Sequence, residues 1–382
     1  MGSPVEEYDV VIVGAGPAGA TCALALSESG LNVALVDKVL FPRDKICGDS
    51  IPGPALKILK SLLPDETHGL NLPENKQRIR SSSIYTASGR CVQIDWKSKA
   101  YNCRRIVFDQ YLLDLVKAHS NTHIFLGEKV NKVDVDDNVT IHLGEEKLTM
   151  KCKLVIGCDG ANSIVSREIG HQPANKTDSC IAVRAYYKGV DSSEDSNMFY
   201  LLKEIPGYFW IFPLDDGIFN VGMGLRASFS EGKFNIKETF KSAVEQNSLI
   251  REKFNQAEIL SGIEAFRLPM GGCKGRISGE RYMLAGDAAA LIDPLMGHGI
   301  DKAMQSGYLA AQQAINCFKE DNFSDAFISG YDSSVAGGVG KELQRNQKIM
   351  EVLHAQPWLI NLLARVSANG MIKNFLLKSF YS

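Results

Sequence analysis

Tyr8-Asp9-Val10-Val11-Ile12-Val13-Gly14-Ala15-Gly16-Pro17-Ala18-Gly19, running on into Ala20-Thr21-Cys22-Ala23-Leu24-Ala25-Leu26, is the stretch that decides the fold of this chain. Its first six residues are a largely apolar, β-branched run, the mark of a parallel strand buried on both faces. The run enters three glycines spaced Gly-x-Gly-x-x-Gly, then a helix that Gly30 can terminate. Gly14 permits the tight turn, Gly16 lets the backbone approach a pyrophosphate, and Gly19 lets helix pack closely on strand. Pro17, Ala18 and Gly19 open the helix, whose N–H groups and macrodipole face the phosphates. A second strand, Leu31 to Val36, ends at Asp37, about 20 residues beyond the motif, where an acid binds adenosine ribose hydroxyls. Strand, helix and acid in register favour a dinucleotide site over a bare glycine-rich turn.

The 382 residues are 45% hydrophobic and 23% charged, an ordinary globular profile with room for two domains. A net charge of −2 leaves no electrostatic footprint for nucleic acid. Arg43 and Lys45 read instead as phosphate neighbours or surface charges. No apolar run reaches the ~18 residues of a membrane span, and no signal-peptide pattern precedes the first strand. The expected location is therefore cytoplasmic. Nine cysteines without a Cys-x-x-Cys pair fit buried thiols in a reducing compartment better than disulfides or zinc. His119 and His123 flank a turn and would not share a helix face, so no metal site is expected. No internal repeat or low-complexity segment is present.

Two glycine–acid pairs lie far downstream. Leu154-Val155-Ile156-Gly157-Cys158 runs into Asp159-Gly160-Ala161-Asn162-Ser163. Arg281-Tyr282-Met283-Leu284-Ala285 leads to Gly286-Asp287-Ala288-Ala289, then Asp293-Pro294-Leu295-Met296-Gly297-His298-Gly299-Ile300. With these motifs the chain resembles the FAD-dependent aromatic-hydroxylase-like superfamily, which implies FAD as cofactor. By that resemblance Asp287 bonds a ribityl hydroxyl, Gly297 to Gly299 present backbone N–H groups to the flavin, and Arg105 matches an FAD-contacting arginine. Its neighbour Arg104 reads as a solvated partner. The helix expected from Ile300 to about Cys317 would direct its positive end at reduced flavin. One departure is Ser166, which stands where the family often has arginine and leaves the role of Arg167 open.

The substrate side has its own signals. Gly207-Tyr208-Phe209-Trp210-Ile211-Phe212-Pro213, read as a strand, puts Tyr208, Trp210 and Phe212 on one face. Spacing alone leaves a core layer or a cavity wall. The segment resembles the Tyr-x-Trp-x-Phe-Pro signature of the geranylgeranyl reductase family, which implies a wall around an isoprenoid chain. Lys45-Ile46-Cys47-Gly48-Asp49 is similar to that family's Lys-x-Cys-Gly-Gly segment, which implies that Cys47 and Gly48 lie near the flavin. Cys47 would then be a proton donor or a shape element; otherwise it is a small buried hydrophobe. Asp49 departs from the family's glycine.

The expected fold class is α/β: a Rossmann-like FAD-binding domain, a mixed and mainly antiparallel β-sheet substrate domain, and a helical C-terminal segment. Residues 5–80, 101–175 and 276–320 are assigned to the first, 81–100 and 176–275 to the second, and 321–382 to the third. A helix is expected from Ile236 to about Ala257. Trp358 to Val366 and Met371 to Lys378 are apolar and amphipathic, suiting an interface cap or a peripheral membrane contact that admits lipids. The expected activity is FAD-dependent reduction of C=C bonds in a polyprenyl lipid by hydride transfer from reduced flavin, with an acid supplying the proton. Cys47, Tyr208 and Trp210 are the catalytic candidates. With no second nucleotide fingerprint, NAD(P)H binds transiently or an external carrier protein reduces the flavin. A monooxygenase or halogenase on the same fold, and a non-catalytic flavin electron carrier or lipid-binding protein, remain as alternatives. Halogenases usually carry Trp-x-Trp-x-Ile-Pro, unlike the segment ending Phe212-Pro213.

Overall fold

A computed structural model describes residues 5–63, 73–144, 148–170, 179–202, 207–226, 235–270, 275–356 and 358–366. The chain opens with β1 (Val5–Val13), α1 (Pro17–Ala25) and β2 (Val33–Asp37). It crosses to a second sheet for β3 (Ser50–Ile51), α2 (Gly53–Leu62), β4 (Gln77–Tyr85) and β5 (Cys91–Asn102). It returns through α3 (Arg105–His119), β6 (His123–Leu126), β7 (Val130–Val135), β8 (Val139–Leu143), β9 (Leu148–Gly157) and α4 (Ile164–Glu168). The second sheet is then completed by β10 (Ser179–Lys188), β11 (Ser196–Leu201), β12 (Gly207–Pro213), β13 (Ile218–Arg226), α5 (Ile236–Gln246), β14 (Glu258–Ile259) and β15 (Glu264–Pro269). A last return gives β16 (Ser278–Gly279), β17 (Tyr282–Leu284), α6 (Ile300–Lys319), α7 (Asp325–Val335), α8 (Lys341–Ala355) and α9 (Trp358–Val366).

The first sheet runs β16-β17-β9-β1-β2-β6, parallel from β17 to β6, with β8 and β7 added antiparallel at β9. Val10, Val11 and Ile12 in β1, Leu35 in β2 and Leu154 to Ile156 in β9 are fully buried, as strands covered on both faces must be. The second sheet runs β14-β10-β13-β12-β11-β4-β5-β3, antiparallel except where β11 meets β4, with β15 also on β10. Its two faces divide by residue parity. Phe209, Ile211, Val221 and Met223 pack under Phe240 of α5, while Ala182, Phe199, Trp210 and Phe212 form a separate cluster on the opposite face.

Three local expectations shift. The first helix ends at Ala25; Leu26 to Ser29 form turns before Gly30, at φ 74°, reverses the chain. The helix begun at Ile236 stops at Gln246, because Asn247 turns extended and its side chain accepts from the Leu249 N–H, an Asx turn that competes with helix. The helix begun at Ile300 runs two residues further than expected, to Lys319. The stretch Met371 to Lys378 lies outside the described residues. Among the described residues no helix is long and apolar enough to cross a membrane, and no cluster of His, Cys, Asp or Glu could hold a metal ion.

The tightest approach in the first sheet is between α1 and the turn that feeds it. A Cβ on Gly19 would lie 1.8 Å from the carbonyl oxygen of Gly14. Gly19→Ala must therefore push α1 away from β1, a strain of about 1–3 kcal/mol. The expected result is a lower urea midpoint at unchanged slope, together with a lower flavin content after purification.

Candidate functional site

The N-terminus of α1 is buried, carries Pro17 at its first turn, and has no side-chain cap and no acid there. Its orphan N–H groups therefore await an anion. The Arg43 guanidinium stands 3.2 Å from where a Gly16 Cβ would be, adding positive charge over the same turn. At the end of β2, buried Asp37 accepts from the Ala15 N–H at 2.8 Å and the Val39 N–H at 3.0 Å, which aims its carboxylate along the α1 turn. Asp159 is used differently. Its oxygens take the Ser163 hydroxyl at 2.6 Å and the Ile164 N–H at 2.6 Å, capping α4, while the preceding Cys158 carbonyl lies against Gly14. Gly160, at φ 80°, completes that turn. Ser166 joins the cap through the Ser163 hydroxyl, and Arg167 stays exposed beside Glu168 at 3.6 Å.

Gly286 donates its N–H to Ser306, and Asp287 is held by Lys45 Nζ at 2.8 Å, joining the third motif to the Lys45–Asp49 segment. Gly297 to Ile300 lead into α6, whose N-cap Gly299 has no side-chain cap. Arg105 is almost fully buried and forms two 2.7 Å bonds to Asp109, which Arg43 also reaches at 3.2 Å. Burial works against the charge on the Arg105 guanidinium, but the ion pair and hydrogen bonds with Asp109 outweigh it and keep the group charged. Arg104 is not simply solvated: its side chain turns back to pair with Asp215 at 3.5 Å. Burial pushes the Cys47 thiol up, against a smaller opposing pull from the neighbouring Arg105. Cys47 therefore holds its proton at neutral pH.

Cys47, Gly48, Arg105, Asp287, Gly297, Gly299 and Ile300 all border one cavity of about 570 Å³, with Pro17 at one end. One face of β12 lines the same cavity. Tyr208, Trp210 and Phe212 alternate onto this face, with successive ring centres 6.0 Å apart. The Tyr208 hydroxyl donates to the Met296 carbonyl at 2.7 Å, tying the wall to the loop before Gly297. The Trp210 indole lies flat across β13, where a Gly222 Cβ would be 2.1 Å from its ring. Sequence reasoning did not find Phe199, whose ring sits 5.5 Å from Tyr208 and 5.1 Å from Phe212. Its signal was strand pairing, since Phe199 is opposite Trp210 in the β11–β12 register. Arg184 was missed as well: it is buried on the cavity wall, bonded to Asp44 at 2.7 Å, with its cation 4.2 Å over the Tyr186 ring.

These residues fit FAD. The bare α1 N-terminus suits a pyrophosphate, Asp37 a ribose, Asp287 the ribityl chain, and the glycine turn before α6 the edge of a flat ring. A family model described as FAD binding domain matches residues 7–333. The menaquinone reductase of Mycolicibacterium smegmatis is 32% identical over 317 residues, covering 80% of this chain and 75% of that protein. Digeranylgeranylglycerophospholipid reductase 2 of Methanopyrus kandleri is 29% identical, covering 91% and 86%. A geranylgeranyl bacteriochlorophyll reductase-like protein from Thermoplasma acidophilum superposes with a TM-score of 0.84 at 23% identity, covering 95% and 92%, a likeness of fold. Asp37→Ala removes the carboxylate expected to meet the ribose, and FAD affinity should fall roughly 10- to 100-fold. Fluorescence titration of flavin-stripped protein measures this; unchanged affinity would place the adenosine elsewhere.

Proposed function

This chain belongs to the FAD binding domain family and groups there with the geranylgeranyl-type reductases, and from that premise we propose that this FAD-dependent oxidoreductase reduces C=C bonds of a polyprenyl lipid. One observation carries the reading: a single cavity borders the flavin-side residues Asp287, Gly297 and Cys47 and an aromatic wall of Phe199, Tyr208, Trp210 and Phe212. The names of the two curated relatives, a menaquinone reductase and a glycerophospholipid reductase, share an isoprenoid chain and differ in head group. The apolar wall suits the shared part.

Bound FAD, once reduced, supplies the hydride. The residues of the chain supply position, dryness and a proton. An isolated alkene resists hydride attack, so one double bond must be held still and away from water. The four rings give the slot for that bond an apolar wall, in which Tyr208 and Trp210 are held by hydrogen bonds to Met296 and Asn220. Cys47, which burial keeps protonated and which borders the cavity, is our candidate for the acid that would protonate the second carbon. NAD(P)H or a reduced carrier protein delivers electrons from outside.

Substrate reaches the slot from the far end, where Met350, Leu353 and His354 of α8 and Ile360 of α9 line the cavity. Val352, Trp358 and Leu362 on the same two helices are exposed, an apolar rim suited to peripheral contact with a lipid surface. This rim is the route by which a water-insoluble chain would enter.

Trp210→Ala should cut turnover of dithionite-reduced protein with prenyl lipids by about tenfold or more through lost positioning, while FAD content stays near wild type. Mass spectrometry for added hydrogen pairs under anaerobic conditions gives the first quantity and absorbance the second; equal loss of both would make the segment plain core. Trp358→Glu should weaken co-sedimentation with phospholipid vesicles roughly tenfold, as burial of one aromatic side chain predicts. Unchanged sedimentation would remove the membrane contact but not the chemistry.

A further inference from the structure

Asp49 takes no part in the chemistry described so far, yet it lies at the junction of the two halves of the site. It is fully buried and adopts φ 62°, the left-handed region where glycine is at ease and aspartate is one of the few tolerated side chains. Three donors converge on its carboxylate. Oδ1 accepts the Arg105 N–H at 3.2 Å, and Oδ2 accepts the Tyr186 hydroxyl at 2.8 Å and Asn220 Nδ2 at 2.8 Å. Asn220 has no freedom in how it answers. The Trp210 indole can only donate, and it does so to Asn220 Oδ1 at 2.8 Å, which points the amide nitrogen at the two acceptors that remain. Those are Asp49 and, at 2.8 Å, the carbonyl of Cys47.

We propose that Asp49 is a positioning residue for the reduction, acting through Asn220 to lock the Trp210 ring and the Cys47 backbone in one fixed arrangement beside the bound double bond. The proposal rests on the reductase reading above. Without the carboxylate, one Asn220 N–H and the Tyr186 hydroxyl lose a buried acceptor, and the amide can rotate away from Trp210. The Trp210 ring and the Cys47 backbone then lose their common anchor, although Asp49 itself does not line the cavity.

The lock should depend on protonation. Arg184 and Tyr186 face Asp49 from β10, Asn220 from β13 and Arg105 from α3; Asp44 and Cys47 face it from its own segment and Cys103 from the link between β5 and α3. Burial pushes the Asp49 carboxyl up to about 6, against the pull of Asn220, Arg184 and Tyr186. Above that pH it is a pure acceptor for all three donors. Below it, a proton occupies one oxygen and competes with them.

Two variants separate charge from fold. Asp49→Gly suits the left-handed backbone and removes the carboxylate; Asp49→Asn keeps shape and an acceptor oxygen but cannot titrate over this range. The chain has three tryptophans, so 5-fluorotryptophan labelling of the FAD-loaded protein gives three fluorine resonances, and Trp210→Phe assigns one. The Trp210 resonance should move with a midpoint near pH 6 in the wild type, stay flat in Asp49→Asn, and shift at every pH in Asp49→Gly. Single-turnover oxidation of the reduced enzyme by geranylgeranyl diphosphate should slow roughly 10- to 100-fold in Asp49→Gly at unchanged flavin content, as expected for a misplaced reacting group. Asp49→Asn should recover most of the rate and lose the fall below pH 6. A Trp210 resonance indifferent to both variants overturns the proposal, as does an Asp49→Gly rate equal to wild type. Should the wild type reduce no prenyl lipid, the substrate reading fails, and the fluorine titration still decides whether Asp49 sets the ring.

Discussion

One side-chain amide ties the second sheet to the segment that links β2 to β3. Asn220, on β13 of the second sheet, takes the Trp210 indole with its oxygen and gives its two hydrogens to the Cys47 carbonyl and the Asp49 carboxylate. All of these groups are buried or nearly so, and an unpaired one would carry its full desolvation cost. The geometry is therefore over-determined: a shift of the Lys45–Asp49 segment strands a donor on Asn220, and a shift of Trp210 strands its acceptor. This part of the cavity keeps its shape because Trp210 and the Lys45–Asp49 segment answer to the same amide.

The far wall is fixed by a second chain of contacts that begins outside the sheets. Asp293 accepts the N–H groups of Leu295 and Met296 at 2.8 Å each and Asn346 of α8 at 2.5 Å. Met296 in turn accepts from Tyr208. Buried Lys302, at the start of α6, is held by Asp301 and by Glu342 of α8. α8, which lines the cavity, is thus bonded to the loop that carries Gly297 into α6. Such a connection lets the two ends of the site hold one relative placement, which hydride transfer to an unactivated double bond requires.

Legibility of the sequence followed the range of the interactions. The first glycine motif, the acid ending β2 and the turn before α6 are set by residues a few positions apart, and their types and spacing can be read directly. The alternation of Tyr208, Trp210 and Phe212 is likewise a property of one extended strand. Helix ends were read less well, since a side-chain bond such as that of Asn247 settles them. Asp159 shows the limit within a recognised motif: its type and place were legible, but its use as the cap of α4 was not. Phe199, Arg184 and Asn220 gave no local sign at all.

By itself the sequence determined a dinucleotide-binding α/β half and an aromatic strand in the other, because periodicity and glycine geometry are local constraints; that the dinucleotide is FAD followed from the resemblance carried by the downstream motifs. Tertiary structure alone decided that the aromatic strand and Cys47 border one cavity, that Phe199 completes its wall, and that a carboxylate at a left-handed backbone position shares an amide with Trp210. Those outcomes depend on the register of β11 against β12 and on bonds from Asn220 to residues more than 170 positions before it. Both are settled only when the sheets close on one another.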